Sequence, residues 1–312
     1  MRFSHTPVMP AECMDGLRID PAGTYVDCTL GGGGHSAEIA KRLQNGGKLI
    51  AFDKDGEAIS FASERLTAFD GRITFVNRDF KEAPEALKQL GIDKINGFLM
   101  DLGVSSYQLD NPERGFSYLS ASSLLDMRMD ARQELSAKEV VNGYSEQELA
   151  KLIFTYGEER FSRQIAANIV KQRQIKEILT TGELVEIIER SIPAKIRFKE
   201  GHCAKRTFQA IRIEVNGELD GLDKTITDLV EMLEPDGRAA VLTFHSLEDR
   251  IVKQTFNYLA TECLCPPKTP ICICGKKAMI TLPFKKPLTA GEVEMQINPR
   301  SKSAKLRVAE KI

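Results

Sequence analysis

The sequence predicts an α/β protein, a parallel and doubly wound sheet interrupted by a helical insertion. Three observations carry that expectation. Over the first hundred residues, short apolar runs that close on an acid alternate with amphipathic stretches, the pattern of successive βαβ units. Four consecutive glycines, Gly31 to Gly34, follow the first of these runs. From about residue 113 to 205 the apolar period becomes that of helices, and a strand-and-helix pattern resumes afterwards.

The first strand is expected at 24–30, ahead of the glycines and of a helix at 36–43. A backbone that turns sharply beneath a ligand needs positive φ and has no room for a Cβ, which is why glycine belongs there. The second strand, Lys48-Leu-Ile-Ala-Phe52, closes on Asp53, about 20 residues past the glycines, where a strand-end acid accepts the hydroxyls of a ribose. A helix at 57–66 leads to a third strand at 73–76, followed by Asp79 and Phe80, and a fourth at 97–100 closes on Asp101. The carboxyl ends of parallel strands form the ligand crevice, so Asp27, Asp53, Asp79 and Asp101 are expected to face one cavity. Such clustered negative charge suits a cationic nucleoside cofactor, adenosylmethionine, and suits the pyrophosphate of NAD poorly. A bland alternative for any one acid is that it caps the next helix.

Within the insertion, Ser136 with Glu139, Ser145 with Glu148 and Thr180 with Glu183 have the spacing of capping boxes. After it come a helix at 219–233, a turn at 234–237 and an apolar strand at 238–244 that ends on His245. Ser246 with Asp249 is expected to open the next helix, and 303–308 alternates like a last edge or antiparallel strand. The expected division is one discontinuous domain, 1–115 with 206–312, and a helical domain at 116–205.

A chain of 312 residues suggests about two domains. Its net charge of −1 argues against coating nucleic acid through bulk charge. The local distribution differs: between 160 and 212, twelve bases from Arg160 to Arg212, Lys199 among them, stand against Glu177, Glu183, Glu186, Glu189 and Glu200, and the tail adds Arg300, Lys302, Lys305, Arg307 and Lys311. Two basic stretches favour a polyanionic partner, although a solvated helix face has the same signature. The first residues lack a long apolar segment, and no stretch of about 18 apolar residues occurs, so a cytoplasmic protein without membrane contact is expected. Seven cysteines, an odd number, fit a reducing compartment. Four of them, Cys263, Cys265, Cys272 and Cys274, share one proline-rich loop and could wrap a structural zinc; a single residue inside each pair is tighter than common zinc ribbons use, and reduced, metal-free thiols are the competing reading.

Asp101-Leu-Gly-Val-Ser-Ser106 lies where the fourth strand meets the insertion, between cofactor and substrate. A base's exocyclic amine is a poor nucleophile because its lone pair is delocalised. Acceptors such as Asp101, Ser105 and a backbone carbonyl would hold its N–H bonds so that the lone pair faces a methyl donor. The competing reading is a tight turn built from Gly103 and serines for geometry alone.

Nine ordered blocks carry a resemblance: Tyr25-Val-Asp-Cys-Thr-Leu-Gly-Gly-Gly-Gly-His-Ser36, Asp101-Leu-Gly-Val-Ser-Ser106, Gln108-Leu-Asp110, Pro112-Glu-Arg-Gly-Phe-Ser117, Leu125-Asp-Met-Arg-Met-Asp130, Lys205-Arg-Thr-Phe-Gln-Ala-Ile-Arg212, Val215-Asn-Gly-Glu-Leu219, Phe244-His-Ser-Leu-Glu-Asp-Arg250 and Asn298-Pro-Arg-Ser301. Over essentially the whole chain the sequence resembles the bacterial 16S rRNA (cytosine-N4)-methyltransferases, the small-subunit methyltransferase H family. The resemblance implies a Rossmann-like class I adenosylmethionine-dependent methyltransferase that modifies the N4 amine of a cytidine in the decoding region of 16S rRNA. It implies adenosylmethionine contacts at Gly33, Gly34, His35, Asp53, Phe80, Asp101 and Gln108. Phe80 offers an apolar face to the adenine ring. His35, on spacing alone, is only a helix-start residue. Arg114, Arg128, Lys205 and Arg206 are the family-like bases suited to phosphate or base contact, with an internal ion pair to Asp126 or Asp130 as the alternative for Arg128. Ser105 and His245 complete the candidate substrate contacts, and a lone His after a buried strand is also a common structural residue. The Asp-Pro-Pro-Tyr tetrapeptide of many amino-methyltransferases is absent, with Asp101-Leu-Gly-Val in its place. The expected substrate is the 16S rRNA within an assembled or nearly assembled small subunit. Two other classes share parts of the pattern: an NAD-dependent oxidoreductase, which gives no reason for Asp79 and Asp101, and a ribosome-assembly factor that binds adenosylmethionine only as a sensor.

Overall fold

The computed structural model describes residues 7–197, 201–266 and 271–312. The extreme N-terminus, Lys199 and Glu200 of the basic stretch and the middle of the cysteine loop lie outside the described residues. The chain divides into two compact units, Met1–Gly103 with Gly221–Ile312, and Val104–Asp220.

The first unit is built on seven strands: β1 (Thr24–Asp27), β2 (Lys48–Phe52), β3 (Ile73–Val76), β4 (Ile95–Asp101), β5 (Leu233–Thr243), β6 (Ile280–Thr281) and β7 (Lys305–Lys311). They lie in the order β3-β2-β1-β4-β5-β7-β6. β1 to β5 pair in parallel, whereas β7 runs antiparallel to β5. The apolar runs are continuous because both faces of the sheet are covered and successive side chains alternate between them. Val26, Ile50 and Phe98 join one core with Leu87, Ile226, Leu229 and Phe256 from the helices on that face. Their neighbours Tyr25, Leu49 and Leu99 join another, with Leu17 and Ile39.

Sequence and structure differ at three places here. Residues 234–237 do not separate the preceding helix from β5 but form an irregularity inside the strand: pairing steps from Ile95↔Leu233 to Gly97↔Arg238, and Asp236 takes a left-handed φ of 63°. The helix Pro10–Leu17 and the two-residue β6 carry too little pattern to stand out, and β6 makes β7 an interior strand. The cap of the helix Ser246–Ala260 is His245, with Glu248 completing the box, rather than Ser246 with Asp249. Glu248 Oε2 accepts from the amides of Phe244 and His245 at 2.8 and 3.2 Å. Asp249 is taken instead by Arg307 and Lys305 on β7, at 2.7 and 3.1 Å.

The second unit packs the helices Ala137–Gly143, Glu146–Gly157, Ser162–Arg173, Thr181–Ser191 and Ala204–Asn216 around one core that includes Val140, Leu149, Ile153, Ile165, Leu184, Ile188, Phe208 and Ile211. All three expected capping boxes form, each hydroxyl accepting a backbone amide while the Glu reaches back. The unit is wider than 116–205 because Phe208, Ile211 and Val215, placed by sequence in the discontinuous domain, bury their side chains in the helical core. Buried Asn216 ties that last helix to an irregular segment, accepting from Met129 N–H at 2.7 Å and donating to the Met127 carbonyl at 2.8 Å. Among the described residues no helix is long and apolar enough to cross a membrane.

Candidate active site

Around the carboxyl ends of β1, β2 and β4 the first unit collects its chemistry. After β1 the chain turns through the glycines into the helix Gly34–Arg42, whose N-cap, Gly33, has φ +74° and provides no side-chain cap. A Cβ at Gly33 would lie 3.0 Å from Leu66 Cδ1 and 3.3 Å from Ala62 Cβ, so this glycine serves close helix packing as well as the turn. The uncapped helix start leaves amide donors and the positive end of the helix dipole for an anionic group.

Asp53, after β2, accepts from Gly31 N–H at 2.8 Å through Oδ2 and from Asp55 N–H at 2.9 Å through Oδ1. Each oxygen accepts two bonds, so the clamp fixes the carboxylate and leaves acceptor capacity on both atoms. Burial pushes this carboxyl up to about 6, against the lowering effect of the two amides.

Asp101 ends β4, its amide donating to Thr29 Oγ1 at 2.6 Å. Its Oδ2 lies 3.5 Å from His35 Nε2, an ionic contact looser than a well-formed hydrogen bond. Asp101 Oδ1 and both His35 ring nitrogens are buried without a hydrogen-bond partner among the described residues. Burial pulls the imidazole's pKa down, but Asp101 foremost and Asp27 after it outweigh this and raise it. His35 was missed by spacing alone. A buried His behind a glycine turn with a strand-end acid in the sheet is the signal that would have found it.

The other two acids expected in the crevice are used internally. Asp27 is fully buried, accepting from Ser36 Oγ at 2.7 Å and Thr29 N–H at 3.0 Å, which ties β1 to the helix it precedes. Asp79 caps the short turn Phe80–Glu82 and lies 3.5 Å from Lys54 Nζ. Phe80 is half-buried and packs on the core beneath that turn. His245 caps the helix Ser246–Ala260 through Nδ1, which lies 3.5 Å from the Glu248 amide, while its buried Nε2 lies 2.9 Å from Glu248 Oε1. The four loop cysteines converge beyond the helix Ser246–Ala260.

The remaining candidates belong to the second unit. Ser105 and Gln108 form a reciprocal capping box on the helix Ser106–Asp110, and Gln108 is buried. Arg114 donates to the carbonyls of Arg128 and Met129 at 2.9 and 3.0 Å. Arg128 grips Asp126 through Nε and Nη2 at 2.9 and 2.8 Å and the Gln133 carbonyl through Nη1 at 2.8 Å, so internal contacts engage all three of its side-chain nitrogens. Lys205 and Arg206 are exposed on the first turn of the helix Ala204–Asn216.

A sheet of this order, with its seventh strand reversed beside the fifth and glycines turning beneath the first, is the Rossmann-like framework of class I adenosylmethionine-dependent methyltransferases. The chain belongs to the MraW methylase family, whose model matches residues 2–312. It is 52% identical over 312 residues to the ribosomal RNA small subunit methyltransferase H of Clostridioides difficile strain 630, covering all of both chains. The protein of the same name from Clostridium botulinum strain Kyoto is 54% identical over 312 residues, again covering all of both. That of Lachnospira eligens is 53% identical, covering 100% of this chain and 99% of its own. Among solved structures, a SAM-dependent O-methyltransferase from Thermotoga maritima aligns with TM-score 0.41 and 12% identity, covering 100% of this chain and 68% of that one.

Proposed function

We propose that this chain transfers a methyl group from adenosylmethionine to the N4 amine of a specific cytidine in the decoding region of 16S rRNA. The observation that carries the reading is the buried, unpartnered Oδ1 of Asp101 beside His35 at the end of β4. An unmet buried acceptor costs about 1–3 kcal/mol, and a donor-bearing, cationic ligand removes that cost. Bound there, adenosylmethionine supplies an electrophilic methyl on a sulfonium. The uncapped start of the helix Gly34–Arg42 suits the cofactor's carboxylate, Asp53 its ribose hydroxyls, and Phe80 its adenine. Asp101 holds an N–H of either the cofactor or the acceptor amine. The relatives, similar over their full length, are named for small-subunit ribosomal RNA, and exposed Lys205 and Arg206 provide phosphate contacts of the kind an RNA needs. The target base must be unstacked before its amine is reached. An assembled or nearly assembled subunit is the substrate in this reading, acting in the cytoplasm.

The test is nucleoside mass spectrometry after incubating the protein and labelled adenosylmethionine with small subunits from a strain lacking it. N4-methylcytidine at one position is expected. Label on a different base, or efficient methylation of a short naked oligonucleotide, overturns respectively the target and the assembled substrate.

The raised Asp53 pKa adds a pH signature. A carboxyl held near 6 in the folded chain keeps its proton between about pH 4 and 6, where the unfolded chain has lost it, so this group's stabilising contribution fades as pH rises through 6. Ribose hydroxyls donate to the ionised form, so affinity for the demethylated cofactor product, measured by calorimetry, falls up to about tenfold per pH unit below 6. Asp53→Asn flattens that profile. An unchanged wild-type affinity from pH 7 to 5 removes Asp53 from the cofactor site.

A further inference from the structure

We propose that Cys263, Cys265, Cys272 and Cys274 form a structural zinc site with four thiolate ligands and no open position. Their sulfurs all lie within 4.8 Å of one another. The separations are 3.5 Å for Cys263 to Cys272, 3.5 Å for Cys272 to Cys274, 3.8 Å for Cys263 to Cys274 and 3.9 Å for Cys265 to Cys272. A regular tetrahedron with zinc–sulfur bonds of about 2.3 Å has sulfur–sulfur edges of about 3.8 Å. The observed edges bracket that length and are far from the about 2.05 Å of a disulfide.

Apolar burial does not explain the convergence. Three of the four cysteines are exposed. Ile271 and Ile273, the apolar residues between and before the second pair, are 77% and 85% exposed. None of the loop's described residues, 261–266 and 271–278, is buried, so another cross-link is needed to hold one conformation, and a metal supplies it. Two amides already point at sulfur, Leu264 N–H to Cys274 Sγ at 3.3 Å and Cys265 N–H to Cys263 Sγ at 3.4 Å, as donors around a metal-bound thiolate do. The loop leaves the helix Ser246–Ala260 and returns where Met279 N–H bonds the Leu259 carbonyl at 2.8 Å, directly before β6. The site therefore closes a loop whose two ends are fixed on the first unit. An all-sulfur tetrahedral set selects zinc among oxygen-stable divalent ions, and four protein ligands leave no place for an activated water. The metal takes no part in methyl transfer.

The experiment is elemental analysis of untagged full-length protein purified under reducing conditions, with Cys263→Ser and Cys272→Ser beside it. About one zinc per chain is expected for the parent and less than about a tenth of that for either variant. On the parent itself, a thiol-blocking mercurial should release the zinc to a chromophoric chelator and speed tryptic cleavage at Lys276 and Lys277. Reconstitution with cobalt(II) should give the intense bands of a tetrahedral tetrathiolate. A parent with neither stoichiometric zinc nor those cobalt bands, one carrying an equivalent of iron instead, or a Cys272→Ser variant that keeps its zinc overturns the proposal.

Discussion

Asp101→Ala is expected to lower methyl transfer to small subunits by at least about 100-fold, the scale of losing one preorganised polar contact to the reacting groups, about 3 kcal/mol. At a pH where His35 is neutral the folded chain should be no less stable, because the ionic contribution of Asp101 is present only when the imidazole is protonated. In the absence of ligand the side chain's contact with His35 is a loose 3.5 Å, while its Oδ1 is buried and unmet, so truncation removes an unsatisfied acceptor as well as a weak ion contact. Activity and melting temperature should therefore separate, the first collapsing while the second holds or rises. A histidine titration followed by NMR gives a second readout, because Asp101 is the main influence raising the His35 pKa. In Asp101→Ala, and to a lesser degree in Asp101→Asn, that pKa should fall. A variant that retains more than about a tenth of parental activity excludes Asp101 from the reaction, whatever His35 does.

How far this site is legible in the sequence depends on what kind of constraint each residue obeys. Glycines 31 to 34, Asp53 and Asp101 stand out because parallel strands end where ligands bind, and the apolar runs mark those ends. Asp27 and Asp79 follow the same rule, yet Ser36 and Lys54 claim them, and sequence spacing carries no account of which acid a nearby donor will take. His35 illustrates the converse: its burial against Asp101 is a pairing across the sheet, set by β1 and β4 lying side by side. At His245 a local rule misled. Ser246 with Asp249 fits the capping spacing, but Arg307 and Lys305 on β7 draw Asp249 away, and the cap moves back one residue to a histidine, an unusual choice for that position. The helical unit is the most legible part, because its capping boxes are written within four residues. Its C-terminal boundary is less so, since whether Phe208 and Val215 join one core or another is decided only by packing.

Gly115→Ala should be among the most damaging single substitutions in the helical unit, costing more than about 4 kcal/mol. Gly115 ends the short turn Pro112–Arg114 with φ +68°, and a left-handed residue with a Cβ costs about 1–2 kcal/mol by itself. The added carbon would stand 2.2 Å from the Leu124 carbonyl oxygen and 2.9 Å from the Asp126 amide nitrogen, both backbone. That backbone has little freedom to retreat. Leu125 N–H bonds the Leu179 carbonyl at 3.0 Å, Met127 N–H the Arg114 carbonyl at 3.0 Å, and the Asp126 carbonyl accepts from Ala137 at 2.7 Å. Moving the segment breaks one or more of these bonds and disturbs the Arg114 and Arg128 clamps on the same loop. Gly221 provides the control: its φ of +65° is nearly the same, but a Cβ added there would have nothing within 4 Å. Gly221→Ala should therefore cost only the conformational part, about 1–2 kcal/mol. Urea denaturation followed by circular dichroism measures both, and the gap between them isolates the collision with the 124–126 backbone. Equal losses for the two variants would mean that the segment yields freely, and that the bonds from Leu179, Arg114 and Ala137 do not hold it.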